Sequence, residues 1–306
     1  MRHSPLGAAS AALFFVGLTA GCSPRTPDPI AVDPAPSPPT SVAEASPPAS
    51  DGSSGEGASD PSRLELDDVL TVAREALEAL SGELVDYTAT FVKRERGDDG
   101  EPGPESIIEL KCRSRLRNET DDAPRSIFLR FVAPESVAGR KVLWVEGRND
   151  GQMAVHEVGF LLNLKTIWLQ PDGMIAMRGQ KHPVWEIGIV RLIEKLVERG
   201  EALRGRKVVV TRTEEDFDGV DAVRYRIEPD RPAEVGPKDF SIAEVVIDPV
   251  RHLALAYRSF DWPDADDPTD TPEMIESYEY RDVKVNVGLS DEDFDVANPA
   301  LGFPTL

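Results

Sequence analysis

The sequence predicts a mainly β, α+β fold: one large curved antiparallel sheet, or an unclosed β-barrel, with an N-terminal helix and an inserted helix as lid. About ten segments alternate apolar and polar residues with the period of a half-buried strand. In contrast, two segments have the spacing of an amphipathic helix. Turn residues such as Asn149-Asp150-Gly151 separate the alternating segments, which favours hairpins and therefore antiparallel pairing. We expect residues 63–306 to form this sheet as a single domain.

The N-terminus predicts export and lipid attachment. Arg2 precedes an apolar run, Ala8–Ala20, that is too short to span a bilayer and has the layout of a signal peptide. The run ends in Leu18-Thr19-Ala20-Gly21-Cys22, which resembles the bacterial lipobox. This resemblance implies that residues 1–21 are removed and that Cys22 is lipidated. An ordinary signal peptide with an incidental cysteine is the alternative.

Residues 22–62 are predicted to be a disordered tether that follows the lipidated cysteine. From residue 23 to residue 62 the chain has ten prolines and almost no large apolar side chain. Such a composition cannot bury enough surface to fold. As a coil, a segment of this length has an end-to-end distance of about 35 Å.

The charge excludes one class of partner. The formal net charge of the chain is -21, which repels nucleic acid and anionic lipid headgroups. We therefore expect no nucleic-acid partner and a membrane contact through the lipid on Cys22. Because Cys112 is the second of two cysteines, no disulfide within the lipidated chain is expected, and Cys112 is predicted to be a buried apolar side chain.

The first helix is predicted to begin after Ser62, which precedes Glu65 in a capping-box arrangement. Its apolar face has helical spacing, and Gly82 is the predicted end. That face consists of Leu66, Val69, Leu70, Ala73, Leu77 and Leu80. The second helix is predicted at about Trp185–Arg199, before Gly200.

The strands are predicted from their period of two. Before the second helix, their inward side chains are Tyr87, Ala89 and Phe91; Ile108, Leu110 and Cys112; Ile127, Leu129 and Phe131; and Val142 and Trp144, and a further strand is expected from Met153, after the hairpin signal. After it, they are Val208 and Val210; Val223, Tyr225 and Ile227; Val245 and Ile247; Leu253, Leu255 and Tyr257; and Tyr278, Tyr280, Val283 and Val285.

Three motifs resemble an uncharacterised bacterial domain family, a domain of unknown function. They are the ten residues from Asp86 to Glu95, the seven from Val145 to Gly151, and Asp293-Phe294-Asp295 with Asn298-Pro299 and Gly302-Phe303. More distantly, the order of elements resembles the periplasmic lipoprotein carrier and receptor (LolA/LolB-like) superfamily. That resemblance implies an unclosed β-barrel with a helical lid around an apolar cavity that receives acyl chains.

Seven aromatic or apolar residues are candidates to line such a cavity: Tyr87, Phe91, Leu129, Phe131, Trp144, Trp168 and Trp185. The apolar stretch Phe160–Leu169 is a candidate lid. The alternative for each residue is that it fills the core, because aromatic side chains at strand spacing are usually packed.

No catalytic residue, metal site or cofactor is predicted. His156, His182 and His252 lack metal-ligand spacing, and the acidic loop 261–270 lacks the glycine of a calcium-binding loop. The sequence has no nucleophile elbow and no phosphate-binding or dinucleotide-binding loop. Arg94 and Arg148 lie in the family-like motifs, where a structural ion pair explains them equally well.

These observations together predict a non-enzymatic, membrane-tethered envelope lipoprotein that binds a lipid or acyl chain in a half-barrel. The alternatives are an envelope structural or interaction protein with an acidic docking surface and, third, an enzyme that uses a carboxylate such as Glu146. We expect the periplasmic face of the envelope. Ser23, which follows Cys22, favours the outer membrane by family resemblance.

Overall fold

The computed structural model describes residues 62–97, 99–114, 124–159, 165–236, 239–264, 269 and 271–304. The predicted signal peptide, Cys22 and the predicted tether up to residue 61 lie outside these ranges. Within them, no helix is both long and apolar enough to cross a membrane.

Twelve strands and two α-helices make up the described chain. The strands are β1 (Arg63–Leu64), β2 (Asp86–Glu95), β3 (Ser106–Arg113), β4 (Ser126–Ala133), β5 (Lys141–Val145), β6 (Met153–His156), β7 (Ile167–Leu169), β8 (Val208–Phe217), β9 (Val220–Pro229), β10 (Ile242–Asp248), β11 (Leu253–Phe260) and β12 (Met274–Val285). The helices are α1 (Leu66–Glu83) and α2 (Ile189–Ala202). Five short 3-10 helices lie between these elements or after β12, including one at Val184–Glu186 just before α2.

The strands form one antiparallel sheet in the order β1-β8-β9-β10-β11-β12-β2-β3-β4-β5-β6-β7. The last strand, β12, pairs with β2, so the two halves of the chain meet in the middle of the sheet. Short strands form both edges, β1 at one and β7 at the other, and the two edges do not pair. The predicted unclosed antiparallel sheet with two helices is therefore confirmed.

Both helices pack on the face of the sheet that carries most of the core, here called the inner face. Val69, Leu70, Ala73, Ala76 and Leu80 give α1 a buried face, as their spacing predicts. The helices also contact each other closely at Gly200, where an added Cβ would lie 2.5 Å from Cδ2 of Leu70. A residue without a side chain is thus required for α2 to approach α1.

The outer face of the sheet is covered in two ways. Over β4 to β6, the C-terminal segment packs Phe294, Leu301 and Phe303 against Phe128 and Leu143. Across β8 to β12, ion pairs connect neighbouring strands. Glu244 accepts hydrogen bonds from two arginines of β9, and Glu279 accepts them from one arginine of β11 and one of β12. The apolar C-terminal segment and the ion pairs thus lie on opposite halves of the outer face.

Some predicted boundaries differ from the structure. The capping box of α1 pairs Glu65 with Asp68, whereas the sequence predicted that Ser62 would pair with Glu65. The helix ends at Glu83, one residue after the predicted glycine. α2 begins at Ile189, because Gly188 has a φ of 138° that no helix allows. The two strands beyond the ten predicted are the short edge strands, which have too few residues to show a period.

Candidate functional site

A cavity of about 390 Å³ lies where the first turn of α2 and the preceding 3-10 helix face the inner side of the sheet. Strands β2, β3 and β5 supply its floor, and α2 supplies part of its wall. Its lining residues are Tyr87, Cys112, Ser114, Arg125, Trp144, Glu146, Trp185, Glu186, Gly188, Val190, Arg191 and Glu194. Both apolar and charged side chains therefore face the same space.

Two tyrosine hydroxyls from the sheet fix the beginning of α2. The amide of Gly188 donates to the Tyr280 hydroxyl at 2.9 Å, and the amide of Ile189 donates to the Tyr87 hydroxyl at 3.0 Å. Gly188 has no side chain with which to cap the helix. The two hydroxyls instead accept hydrogen bonds from backbone amides at the helix start that have no partner within the helix. Burial raises the pKa of both tyrosines, so both stay neutral.

Arg125, just before β4, forms a third contact to this turn. One of its guanidinium nitrogens donates to the carbonyl of Ile187 at 2.7 Å, and the guanidinium carbon lies 6.0 Å from the ring centre of Trp144. An added Cβ at Gly188 would lie 3.3 Å from both Arg125 Nη2 and the Tyr87 hydroxyl. Glycine at this position thus allows the sheet and the helix to approach each other.

The apolar part of the cavity consists mainly of two tryptophans. Trp144 and Trp185 have ring centres 6.2 Å apart and planes tilted by 53°. Cys112 lies beside them on β3 and is buried, as predicted. Burial raises the pKa of its thiol, which keeps it protonated and unreactive.

The charged part of the cavity is an ion-pair cluster at the start of α2. The Arg191 guanidinium binds Glu186 at 3.1 Å and Glu194 at 2.9 Å, and Lys195 lies 3.2 Å from Glu186. Burial alone would raise the pKa of Glu186, yet hydrogen bonds and charge from Arg191 and Lys195 lower it below its usual value. The carboxylate therefore stays ionised at the edge of the cavity.

Three of the seven predicted lining residues, Tyr87, Trp144 and Trp185, lie at this cavity. The other four do not line it. Phe91, Leu129 and Phe131 pack in the main core, and Trp168 packs in the outer-face cluster beneath the C-terminal segment. Of the predicted lid, residues 160–164 lie outside the described residues, and Ile167–Leu169 form the edge strand β7.

A second polar cluster lies under the other end of α2. The Tyr278 hydroxyl donates to Glu95 Oε1 at 2.5 Å and lies 3.1 Å from Glu276 Oε2. Glu276 also contacts His182 Nε2 at 2.9 Å and Arg199 Nη1 at 3.4 Å. We call these five residues the Glu276 network.

The Glu276 network surrounds a deeply buried carboxylate and includes partly exposed partners: the side chain of Glu276 is 4% exposed, that of His182 35% and that of Arg199 30%. Burial alone would raise the pKa of Glu276, but the hydrogen bond and charge of His182, with Arg199 and Tyr278, lower it to about 2. The neighbouring Tyr257, which contacts Arg199, has a pKa raised to about 12, mainly by burial. This cluster has the kinds of side chain found in active sites, and its members are paired with one another.

Sequence reasoning missed Arg125, Arg191 and most of the Glu276 network. In the sequence, Glu95, Glu276 and Tyr278 are an even number of positions from the apolar residues of their strands, so the alternation places them on the inner face. This spacing could have identified them. Polar residues at inward positions point to a buried polar cluster.

The other singled-out residues have structural partners or lie apart from the cavity. Arg94 donates to the Gly103 carbonyl at 3.2 Å, and Arg148 lies 3.7 Å from Asp291. His182 is hydrogen-bonded, as expected of a structural histidine. In the described part of the acidic loop, Asp261 pairs with Arg96. Among the described residues no cluster of histidine, cysteine and carboxylate ligands could hold a metal ion.

The fold is similar to several solved structures at low identity. A putative outer membrane lipoprotein-sorting protein domain from Vibrio parahaemolyticus matches 78% of this chain and 99% of its own, with 13% identity and a TM-score of 0.35. An uncharacterised conserved protein from Thermus thermophilus matches 74% of this chain and 92% of its own, with 10% identity and a TM-score of 0.40.

A LolA superfamily protein from Nitrosomonas europaea matches 73% of this chain and 97% of its own, with 10% identity and a TM-score of 0.29. These likenesses are too weak to transfer a function. No curated protein matches the chain.

One family model matches most of the sequence. It spans residues 84–303, from just before β2 to the C-terminal segment, and includes all three motifs noted above. The cavity and the Glu276 network both lie within it. The chain belongs to this family, which is described as a protein of unknown function, DUF1571.

Proposed function

We propose that this protein is a non-enzymatic envelope lipoprotein that binds an amphiphilic molecule, with an acyl chain as its apolar part. The observation that carries the proposal is the cavity at the start of α2. Its volume of about 390 Å³ is within the range of small-molecule sites. Such a site combines apolar walls with a few placed polar groups, and this one has both.

The chemistry of the lining favours an amphiphile over a bare hydrocarbon. Trp144 and Trp185 offer ring surface to an apolar chain, and Tyr87 adds a third ring. Arg125, Arg191 and the carboxylates beside them offer charged hydrogen-bond partners to a polar head. A ligand with a polar end and an apolar end would satisfy both parts of the cavity.

Quenching of tryptophan fluorescence by a brominated fatty acid tests this binding. Two of the four tryptophans, Trp144 and Trp185, line the cavity, and Trp168 packs on the outer face. We expect saturable quenching that is largely lost in Trp144→Phe/Trp185→Phe and kept in the matched control Trp168→Phe. Filling the cavity with Val190→Trp should prevent binding. Equal quenching of all variants, or none in the parent protein, would refute the proposal.

We further propose that Cys22 carries the lipid that anchors the protein at the periplasmic face, with the outer membrane favoured. The lipobox-like sequence and the proline-rich segment after it support this anchor. Replacing Cys22 by serine should remove the lipid, and mass spectrometry of the N-terminal peptide would show the loss. A peptide from the parent protein with the mass of unmodified cysteine would argue against lipidation.

The alternative, an acidic docking surface, has less support from the described residues. Glu244 and Glu279 on the outer face are each paired with arginines, so this region has both signs of charge instead of a uniform negative field.

A further inference from the structure

One segment of this acidic chain exposes apolar side chains and basic groups together. It comprises residues 165–182 and is here called the basic segment; it includes β7 and the turns that follow. Met174 is 89% exposed and its neighbour Ile175 is 74% exposed. Among the described residues these two are the only adjacent pair of large apolar side chains that are both exposed.

Defined contacts on both sides hold this apolar pair outward. The amide of Gly173 donates to the Gln170 carbonyl at 2.9 Å, and the amide of Met177 donates to the Gly173 carbonyl at 2.9 Å. Next to Ile175, Ala176 packs against the main core. The turn thus has a fixed backbone, and its two apolar side chains point to solvent although burial would stabilise them.

The end of the basic segment is attached to the Glu276 network. The Lys93 ammonium donates to the side chain of Gln180, the amide of Lys181 donates to Glu95 at 3.2 Å, and His182 contacts Glu276 at 2.9 Å. Ion pairs and hydrogen bonds of buried groups therefore fix where the turn is presented. This gives the network a role that an isolated buried cluster would lack.

The charge of the basic segment is opposite to that of the chain. It contains three basic side chains, Lys165, Arg178 and Lys181, and one acidic side chain, Asp172, in a protein whose net charge is -21. All three basic residues are exposed, and none has an ion-pair partner among the described residues. Exposed basic side chains in the same segment as exposed apolar side chains are typical of surfaces that contact anionic lipid.

We propose that the basic segment is a docking surface for an anionic lipid bilayer, with Met174 and Ile175 entering the interface and the three basic side chains contacting headgroups. The segment leads directly into Trp185 and Glu186, which line the cavity. Docking would bring the cavity close to the source or destination of an amphiphile. The membrane contact itself does not depend on whether the cavity binds a ligand.

Flotation with vesicles tests the docking surface without the lipid anchor. The protein is the chain from residue 22 onward with Cys22→Ser, mixed with vesicles of phosphatidylcholine containing one third phosphatidylglycerol. We expect it to float with these vesicles and to be released by high salt. Met174→Ser/Ile175→Ser should weaken binding by about ten-fold, and each of Lys165→Gln, Arg178→Gln and Lys181→Gln by about five-fold.

Val250→Ser is the matched control, because Val250 is 83% exposed but lies in the turn between β10 and β11. It should bind vesicles like the parent protein. Circular dichroism would verify that each variant is folded. Binding that is unchanged in Met174→Ser/Ile175→Ser, or absent in the parent protein, would overturn the proposal. So would a parent protein that forms dimers in sedimentation and loses them in this variant, because the apolar pair would then contact a second copy.

Discussion

The two ends of α2 meet the inner face of the sheet in different ways. At its first turn, Tyr87 and Tyr280 hold the helix through backbone amides, and the surrounding side chains leave a cavity of about 390 Å³. Near its last turn, Arg199 contacts Glu276 and Tyr257, and a much smaller cavity of about 30 Å³ lies between the two helices and the sheet. One end thus borders the larger cavity, and the other is held to the sheet by ionic contacts.

The difference shows how one helix can combine a stable position with an unfilled site. Buried ionised groups are costly unless each has partners, so the Glu276 network specifies one arrangement of α2 and the segment before it. Hydroxyls that bind the helix backbone position its first turn without occupying the space around it. We therefore expect changes in the network to affect stability and changes around the cavity to affect ligand binding.

The largest effect is expected for Glu276→Gln. The side chain of Glu276 is 4% exposed and contacts His182 and Arg199, so loss of its charge should reduce the free energy of unfolding by about 3 kcal/mol at pH 7. Urea unfolding measures the change. Glu214→Gln, at a site that is 75% exposed, is the control and should change stability by less than about 0.5 kcal/mol.

The same variant has a defined pH dependence. The folded chain lowers the pKa of Glu276 from 4.5 to about 2, so its carboxylate stabilises the fold above pH 4.5 and loses that effect as pH falls toward 2. The advantage of the parent protein over Glu276→Gln should therefore shrink as pH falls from 4.5 toward 2. An advantage that stays constant over this range would contradict the assignment.

A smaller effect is expected where the two helices touch. Gly200→Val would place a side chain against Leu70, which is fully buried, and should cost about 2 kcal/mol. Leu70→Ala/Gly200→Val should cost less than the sum of the two single changes, because the smaller residue makes room. Additive costs in urea unfolding would show that the two residues do not compete for space.

Next come the two hydroxyls that position the first turn of α2. Tyr87→Phe and Tyr280→Phe should each cost about 1 kcal/mol, since each leaves one buried amide of the helix without an acceptor. Amide hydrogen exchange should increase at Ile189 in the first variant and at Gly188 in the second. Equal exchange at both amides in all proteins would refute this role.

The smallest effect on stability is expected for Arg191→Gln at the edge of the cavity. Its ion pairs with Glu186 and Glu194 are partly exposed, so the cost should be about 0.5 kcal/mol. In the quenching experiment, however, this variant should bind the fatty acid more weakly than the parent protein. Unchanged binding would limit the polar contact to Arg125.

The strands and helices that could be predicted from the sequence are the long ones with a regular pattern of apolar residues. The strands from β2 to β5 and from β8 to β12 showed their inward side chains in the sequence, whereas the four residues of β6 do not alternate. β1 and β7 have two and three residues, too few for a pattern, and they form strands because longer neighbours pair with them. Among the candidate residues, the sequence could identify Trp144 as inward-facing but not whether it lines a space or fills one.

The sequence by itself determined the alternation of apolar side chains, the two amphipathic helices and the motifs of the family, because these depend on local period and residue type. The tertiary structure decided which inward residues share a cavity and which inward charges meet. Tyr87, Arg125 and Trp185 are far apart in the chain and come together because β2 pairs with β3 and β12 while α2 crosses the inner face. Such contacts depend on strand order and helix position, which no local pattern encodes.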